Sequence, residues 1–151
     1  MIFSRPVEYS LRALCHLATL EPGTVAMARD VAEATEIPPF FLAKILQDLA
    51  RQGLLVSQKG PTGGFRLKDT PEKVTLLRVV EAVQKEPVAG ACPAGHSPCT
   101  RSTVCGFHES WVPVQDRVVE YLKGTTLAQA ARALDRRRPK ATKNRKRSGK
   151  G

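Results

Sequence analysis

The stretch from Pro38 to Lys68 constrains the fold more than any other part of the chain. Leu42, Ile45, Leu46 and Leu49 stand at i, i+3, i+4 and i+7, which puts them on one face of a helix. Lys44, Gln47, Asp48 and Arg51 fall on the other faces. Pro38-Pro39 opens that helix, since proline is tolerated in a first turn whose N–H groups have no partner anyway. Gly53 suits the position just past the helix end. Leu54 to Lys59 and Phe65 to Lys68 read as two short strands, and Gly60-Pro-Thr-Gly-Gly64 between them has the chemistry of a hairpin tip.

The flanking chain is helical. From Ser4 to Leu20, Leu11, Cys15 and Ala18 recur at helical spacing, Leu14 and Leu17 widen the stripe, and Glu21-Pro-Gly23 ends it. A second helix is expected over Met27 to Glu33 with Val31 and Ala32 inward, followed by a turn through Thr35, Glu36 and Ile37. Thr75 to Val83 reads as a helix capped by Thr75. Pro87 to Pro98 is rich in Pro, Gly and Ala and reads as a loop. A long helix is expected from Phe107 to Leu122, striped by Trp111, Val114, Val118, Tyr121 and Leu122. Thr125-Thr126 caps a last helix with Leu127, Ala130 and Leu134. No internal repeat is visible. The expected class is mainly α with a small β-hairpin: a winged helix-turn-helix followed by a long C-terminal helix. The expected division is 1–84 for the winged unit, 85–105 for a cysteine-bearing loop, 106–134 for the last two helices and 135–151 for a disordered basic tail.

Charge adds less than its total suggests. Nine basic residues and one acidic residue lie between Asp135 and Gly151, so +8 of the net +10 sits in the tail and +2 in the remainder. The tail alone can supply nonspecific attraction to a polyanion. A hydrophobic share of 42% with 25% charged residues argues against wholesale disorder. No apolar run approaches the ~20 residues of a membrane span. Met1 to Arg12 lacks the apolar core of a secretory signal, so a cytoplasmic protein with reduced thiols is expected. Enzyme signatures are missing: Gly60 to Gly64 has neither the lysine nor the following helix of a phosphate loop, and no paired carboxylates or nucleophile triad are visible. Cys105 with His108 resembles a thiol–imidazole pair, but nothing nearby suggests an oxyanion site.

Helix, short helix, turn, helix and hairpin in that order suit duplex DNA. A helix fits the major groove and its first residues reach base edges. Those residues are Pro39, Phe40, Phe41 and Lys44. Phenylalanine touches a thymine methyl but donates nothing to guanine. Lys59 and Arg66 on the hairpin and Arg29 on the second helix can neutralise phosphates. Pattern alone leaves a neutral alternative open, with Phe40 and Phe41 in the core and the basic residues as ordinary surface.

Cys92, Cys99 and Cys105 place three thiols within a short loop, separated by six and five residues. Soft thiolates on small-residue loops can hold an Fe–S cluster. His108, three residues past Cys105, is a suitable fourth ligand, since imidazole serves that role in Rieske centres. Zinc competes, although both spacings exceed the usual tight knuckle. Direct oxidation of bare thiols is a third option. His96 is an alternate ligand in the same loop, His16 reads as a helix residue without a metal role, and Cys15 falls on the apolar stripe of the first helix.

The strings Glu8-Tyr-Ser-Leu-Arg-Ala13, Ile37-Pro-Pro-Phe-Phe-Leu-Ala-Lys-Ile-Leu46, Leu49-Ala-Arg-Gln-Gly-Leu54 and Lys59-Gly-Pro-Thr-Gly-Gly-Phe-Arg-Leu67, with the three late cysteines, resemble the IscR/NsrR/RirA-type winged-helix transcription regulators. The resemblance spans about residues 1–134. It implies a homodimer on a near-palindromic double-stranded operator, with Phe107 to Leu122 as the dimerisation helix. It implies an Fe–S cluster held by Cys92, Cys99 and Cys105, sensing nitric oxide, redox state or iron and cluster supply. IscR-like members take their fourth ligand from a histidine after the third cysteine, here His108, and hold [2Fe–2S]. NsrR-like members use a carboxylate early in the first helix of the other subunit, typically Asp, here Glu8, and such sites can hold [4Fe–4S]. The first cysteine spacing is one residue longer than in IscR-like members. Some of these carry an acidic residue early in the recognition helix where Ala43 stands. Two alternatives remain: a winged-helix regulator using zinc or bare thiols, and a basic nucleic-acid-binding accessory factor working through the tail.

Overall fold

The computed structural model describes residues 3–89, 92 and 106–135. His96, Cys99, Cys105 and the basic tail beyond Asp135 lie outside the described residues. Six α-helices and one hairpin make up the described fold: α1 Arg5–Ala18, α2 Ala28–Thr35, α3 Pro39–Arg51, β1 Leu55–Gln58, β2 Gly64–Leu67, α4 Leu76–Gln84, α5 His108–Gly124 and α6 Leu127–Asp135. The mainly helical class with one two-stranded antiparallel hairpin agrees with the expectation. A short 3₁₀ turn at Pro71–Lys73, between β2 and α4, carries no apolar period and was not anticipated.

α1 is the hub. It buries Val7, Ala13, Leu14, Cys15 and Leu17 and packs against α2, α3, α4 and α6. α3 contributes Leu42, Leu46 and Leu49, all essentially inaccessible, while Ile45 is half-buried at the edge of the stripe. Burying a leucine side chain is worth ~1.5–3 kcal/mol, so this stripe is what fixes α3 against α1 and α2. α3 ends as the glycine predicts. Gly53 takes φ +74° just beyond the cap Gln52. Gly53 N–H donates to Ala50 O at 3.0 Å and Leu54 N–H to Leu49 O at 3.0 Å, the two bonds of a Schellman motif, with Leu49 and Leu54 both in the core.

β1 and β2 pair from Leu55↔Leu67 to Gln58↔Gly64. A bridge that no sequence pattern announced extends this hairpin. Ala26 N–H donates to Phe65 O at 2.9 Å, and Phe65 N–H to Ala26 O at 2.8 Å. The residue pair before α2 is thereby fastened to the hairpin.

The C-terminal helices return to the same core. Thr75 caps α4 through its hydroxyl, which accepts from Arg78 N–H at 3.3 Å. Beside it, Leu76 N–H donates to Thr125 O at 2.9 Å and Leu127 N–H to Val74 O at 2.7 Å. Thr126 and Gln129 form a reciprocal capping box at the start of α6. Leu127 and Ala131 of α6 sit in the main core with Leu14 and Leu17, and Leu122 of α5 joins Val7 and Val80 in a smaller cluster. Gln115, buried on α5, donates from Nε2 to Val88 O at 2.8 Å. No helix among the described residues is long and apolar enough to cross a membrane.

Candidate nucleic-acid interface and cysteine segment

The same period that buries Leu42, Leu46 and Leu49 turns the opposite side of α3 outward. Phe40 is 82% exposed and Phe41 56%. The two rings meet edge to face, 5.9 Å between centroids and 78° between planes. Pro39 before them and Lys44 after them are exposed, and Ala43 is half-buried. Of the two readings that the sequence left open for the phenylalanines, the core is excluded. Lys44 stands at i+4 from Phe40 and i+3 from Phe41, hence on their side of the helix.

The hairpin is joined to the start of α2. Lys59 is exposed at its turn, and Arg66 is half-buried on β2, its Nη1 3.5 Å from Leu67 O. Arg29 is largely exposed on α2, paired loosely with Asp30 at 3.5 Å. Arg29 lines a cleft with Met27, Ser57, Gln58 and Gly63, so the α2 start and the hairpin form one continuous surface. Met27, Ser57 and Gln58 are surface residues that sequence reasoning passed over. Alternation along β1 would have put Ser57 on the face of buried Leu55, so its exposure had no local signal, and only the nonlocal bridge at Ala26 could have indicated Met27.

Close backbone approach shapes this hairpin. A Cβ added to Gly64 would stand 2.2 Å from Ala26 O, and one added to Gly63 would stand 2.4 Å from Gln58 O. Only glycine lets the three backbone segments lie this near one another.

The metal-ligand candidates are partly described. Cys92 is a half-buried free thiol. His108 is the first residue of α5, half-buried and engaged in an interaction. Glu8 is exposed on α1 and pairs with Arg12 at 3.6 Å across one helical turn. Arg12 also donates to Thr35 O and lies over the Tyr9 ring at 5.9 Å. Among the described residues, no three His, Cys, Asp or Glu side chains gather as a metal-ligand set. Cys15 is buried in the core as expected, and the lack of solvation for its thiolate pushes the thiol up to about 11. His16 is half-buried on α1.

A three-helix core, a protruding helix start with exposed aromatic and basic side chains, and a hairpin fastened beside it define a winged helix-turn-helix DNA-binding protein. The model of the Rrf2 family, described as iron-dependent transcriptional regulators, matches residues 3–133, and the chain belongs to that family. A protein of Aquifex aeolicus assigned as an HTH-type transcriptional regulator is 33% identical over 129 residues, covering 84% of this chain and 89% of the other. The HTH-type transcriptional regulator IscR of Aliivibrio salmonicida is 30% identical over 123 residues, covering 81% and 72%. Among solved structures, CymR, the global cysteine regulator of B. subtilis, superposes with a TM-score of 0.73 at 21% identity, covering 87% of this chain and 96% of that one. IscR of T. potens superposes with a TM-score of 0.70 at 18% identity and 90% coverage of both chains. The chain is thus a DNA-binding transcription regulator and not an enzyme.

Proposed function

We propose that this regulator is a homodimer whose affinity for a double-stranded DNA operator depends on an Fe–S cluster held by Cys92, Cys99, Cys105 and His108. The observation that carries the DNA-reading half is the solvent exposure of Phe40 and Phe41 at the start of α3, one turn before the exposed Lys44. Pro39, Phe40, Phe41 and Lys44 face bases, while Arg29, Lys59 and Arg66 face phosphates. Three thiols and an imidazole are a soft donor set that fits such a cluster, and [2Fe–2S] is favoured over [4Fe–4S] because the IscR-type regulators that the chain resembles pair that cluster with a histidine after the third cysteine. Glu8 is the alternative fourth ligand, but its carboxylate already pairs with Arg12 within the same helix. Bound, the cluster would supply sensitivity to nitric oxide, oxidants or iron supply. The likeness to IscR supports this choice.

Dimerisation through α5 is supported by its outward face. Phe107, Val114 and Tyr121 follow one another at steps of seven along that face, the repeat of a helix–helix seam, while Val118 packs inward against the cluster of Val7, Val80 and Leu122. Phe107, Val114 and Tyr121 are 62%, 50% and 64% exposed. His108 begins the same helix, and the Leu76–Thr125 and Leu127–Val74 hydrogen bonds tie its far end to α4. A change at His108 therefore reaches α1 and α3 along the length of α5 and through α4. On this reading the organisation is a winged unit over 1–84, a ligand segment over 85–105, the last helices over 106–134, and a basic tail from 135 that adds nonspecific affinity.

The test combines two measurements. Protein purified without oxygen should absorb between ~400 and 600 nm, with iron and acid-labile sulfide in equal amounts. Operator affinity of holo and apo protein at fixed salt should differ by about 5- to 150-fold, corresponding to a coupling of ~1–3 kcal/mol. Equal affinities would remove the sensing role and leave the DNA reader. A colourless, iron-free protein after anaerobic reconstitution would favour the second reading, a regulator acting through bare thiols or zinc, for which the likeness to CymR is the supporting observation.

A further inference from the structure

We infer that the Phe40–Phe41 pair recognises thymine C5-methyl groups, so that the operator is read at the first turn of α3 by apolar contact rather than by hydrogen bonds. The inference rests on α3 being the helix that enters the major groove. Its first turn has no side chain able to donate or accept a hydrogen bond. Pro38 is the N-cap, Pro39, Phe40 and Phe41 follow, and all four are exposed. Pro38 and Pro39 also lack a backbone N–H. The first exposed polar side chains along the helix are Lys44 and Gln47.

Base edges in the major groove present donors and acceptors, and the one apolar substituent among them is the thymine methyl. A ring placed against N7 and O6 of guanine, or against N6 and N7 of adenine, would strip water from those groups without replacing the bond. The same ring placed against a thymine methyl removes apolar surface on both sides. Edge-to-face contact holds the two rings together, which lowers the number of rotamers to be frozen on docking. Lys44, exposed on the same side of the helix, supplies positive charge beside this apolar spot. The patch thus matches a thymine-bearing duplex: an apolar centre for the methyl and a basic neighbour for the phosphates.

The experiment starts with selection of duplexes from a random pool by the full chain in its purified state. Each thymine of the preferred site is then replaced singly by uracil, which keeps the pairing and deletes only the methyl. Affinities are read by fluorescence anisotropy at one salt concentration. Uracil should weaken binding about fourfold at one or two positions per half-site, the effect of one methyl group no longer removed from water, and less than twofold elsewhere. At those positions 5-methylcytosine should bind better than cytosine. In Phe40→Ala and Phe41→Ala the uracil effect should disappear, because a contact already lost cannot be lost again. Uracil tolerated within twofold at every position, or a uracil effect unchanged in both variants, would overturn the inference while leaving the DNA reader intact. A pool that yields no preferred site would overturn the DNA reading itself. The uracil series on the unmodified protein needs no variant to fold, and both rings are exposed, so the variants should retain the wild-type far-ultraviolet dichroism.

Discussion

Replacing Gly64 by alanine tests the account of the hairpin most directly. The added Cβ would stand 2.2 Å from Ala26 O, 2.6 Å from its carbonyl carbon and 3.0 Å from Met27 N. All three atoms are backbone, so no side chain can swing aside. Restoring ordinary contact requires the two segments to part by roughly 1 Å or more, which breaks the paired Ala26–Phe65 hydrogen bonds of 2.8 and 2.9 Å. Each of the two bonds contributes ~0.5–1.5 kcal/mol, and overpacking of this kind costs ~1–3 kcal/mol, so a total loss of ~2–6 kcal/mol is expected. Gly60→Ala is the matched control. Gly60 has φ +107° but nothing within 4 Å of its added Cβ, so only the backbone preference is lost, ~1–2 kcal/mol. Urea unfolding of both variants, compared in the same metal state, should give a lower midpoint for Gly64→Ala than for Gly60→Ala at unchanged slope. Amide exchange at Ala26 and Phe65 should accelerate in Gly64→Ala and not in Gly60→Ala. If the two variants unfold together, the bridge is not what holds the hairpin to α2.

Three further expectations follow from particular residues. Cys15 should resist iodoacetamide at pH 8 in the folded protein and react on unfolding, and the fold should lose stability as pH rises from about 9 to about 11, because the thiol ionises first in the unfolded chain; labelling at the native rate of an exposed thiol would refute the burial. Deleting residues 136–151 removes nine basic residues and should flatten the slope of log affinity against log salt for nonspecific duplex; an unchanged slope would mean that the tail makes no phosphate contacts. For the proposed dimer, Tyr121→Glu, at a 64% exposed position of α5, should leave the fold intact and shift the mass measured by light scattering toward one chain; a variant of unaltered mass would refute α5 as its seam.

Local chemistry was legible where a residue's role depends on its near neighbours. The α3 stripe, the glycine past its end and the Thr75 cap all act within a few residues, and each appears where its pattern placed it. The Ala26–Phe65 bridge was not legible, because alanine has no strand preference and its partner lies far along the chain. The five apolar residues read as one stripe on α5 divide in space: Leu122 faces the core, while Val114 and Tyr121 face outward. A period reports which residues share a face and says nothing of how many partners that face has. Phe40 and Phe41 were ambiguous for the same reason, since two apolar residues before a buried stripe can extend it or depart from it. Cys92, Cys99, Cys105 and His108 became ligand candidates through donor chemistry and spacing and Glu8 through the family resemblance alone; of these, Cys92, His108 and Glu8 fall among the described residues.

The return of α6 onto α1 has a consequence for how the protein is made. Leu127 and Ala131 complete a core whose other members, Leu14, Leu46 and Leu54, are synthesised much earlier. Between Gln84 at the end of α4 and Ala131 the ribosome must add 47 residues, which takes ~2–10 s at ~5–20 residues per second. During that interval the nascent winged unit presents an unfilled apolar groove along α1. Completion of the DNA-reading surface is therefore timed by the last helix rather than by the recognition helix, and a nascent chain stalled before Leu127 would be a substrate for chaperones before it could be a ligand for DNA.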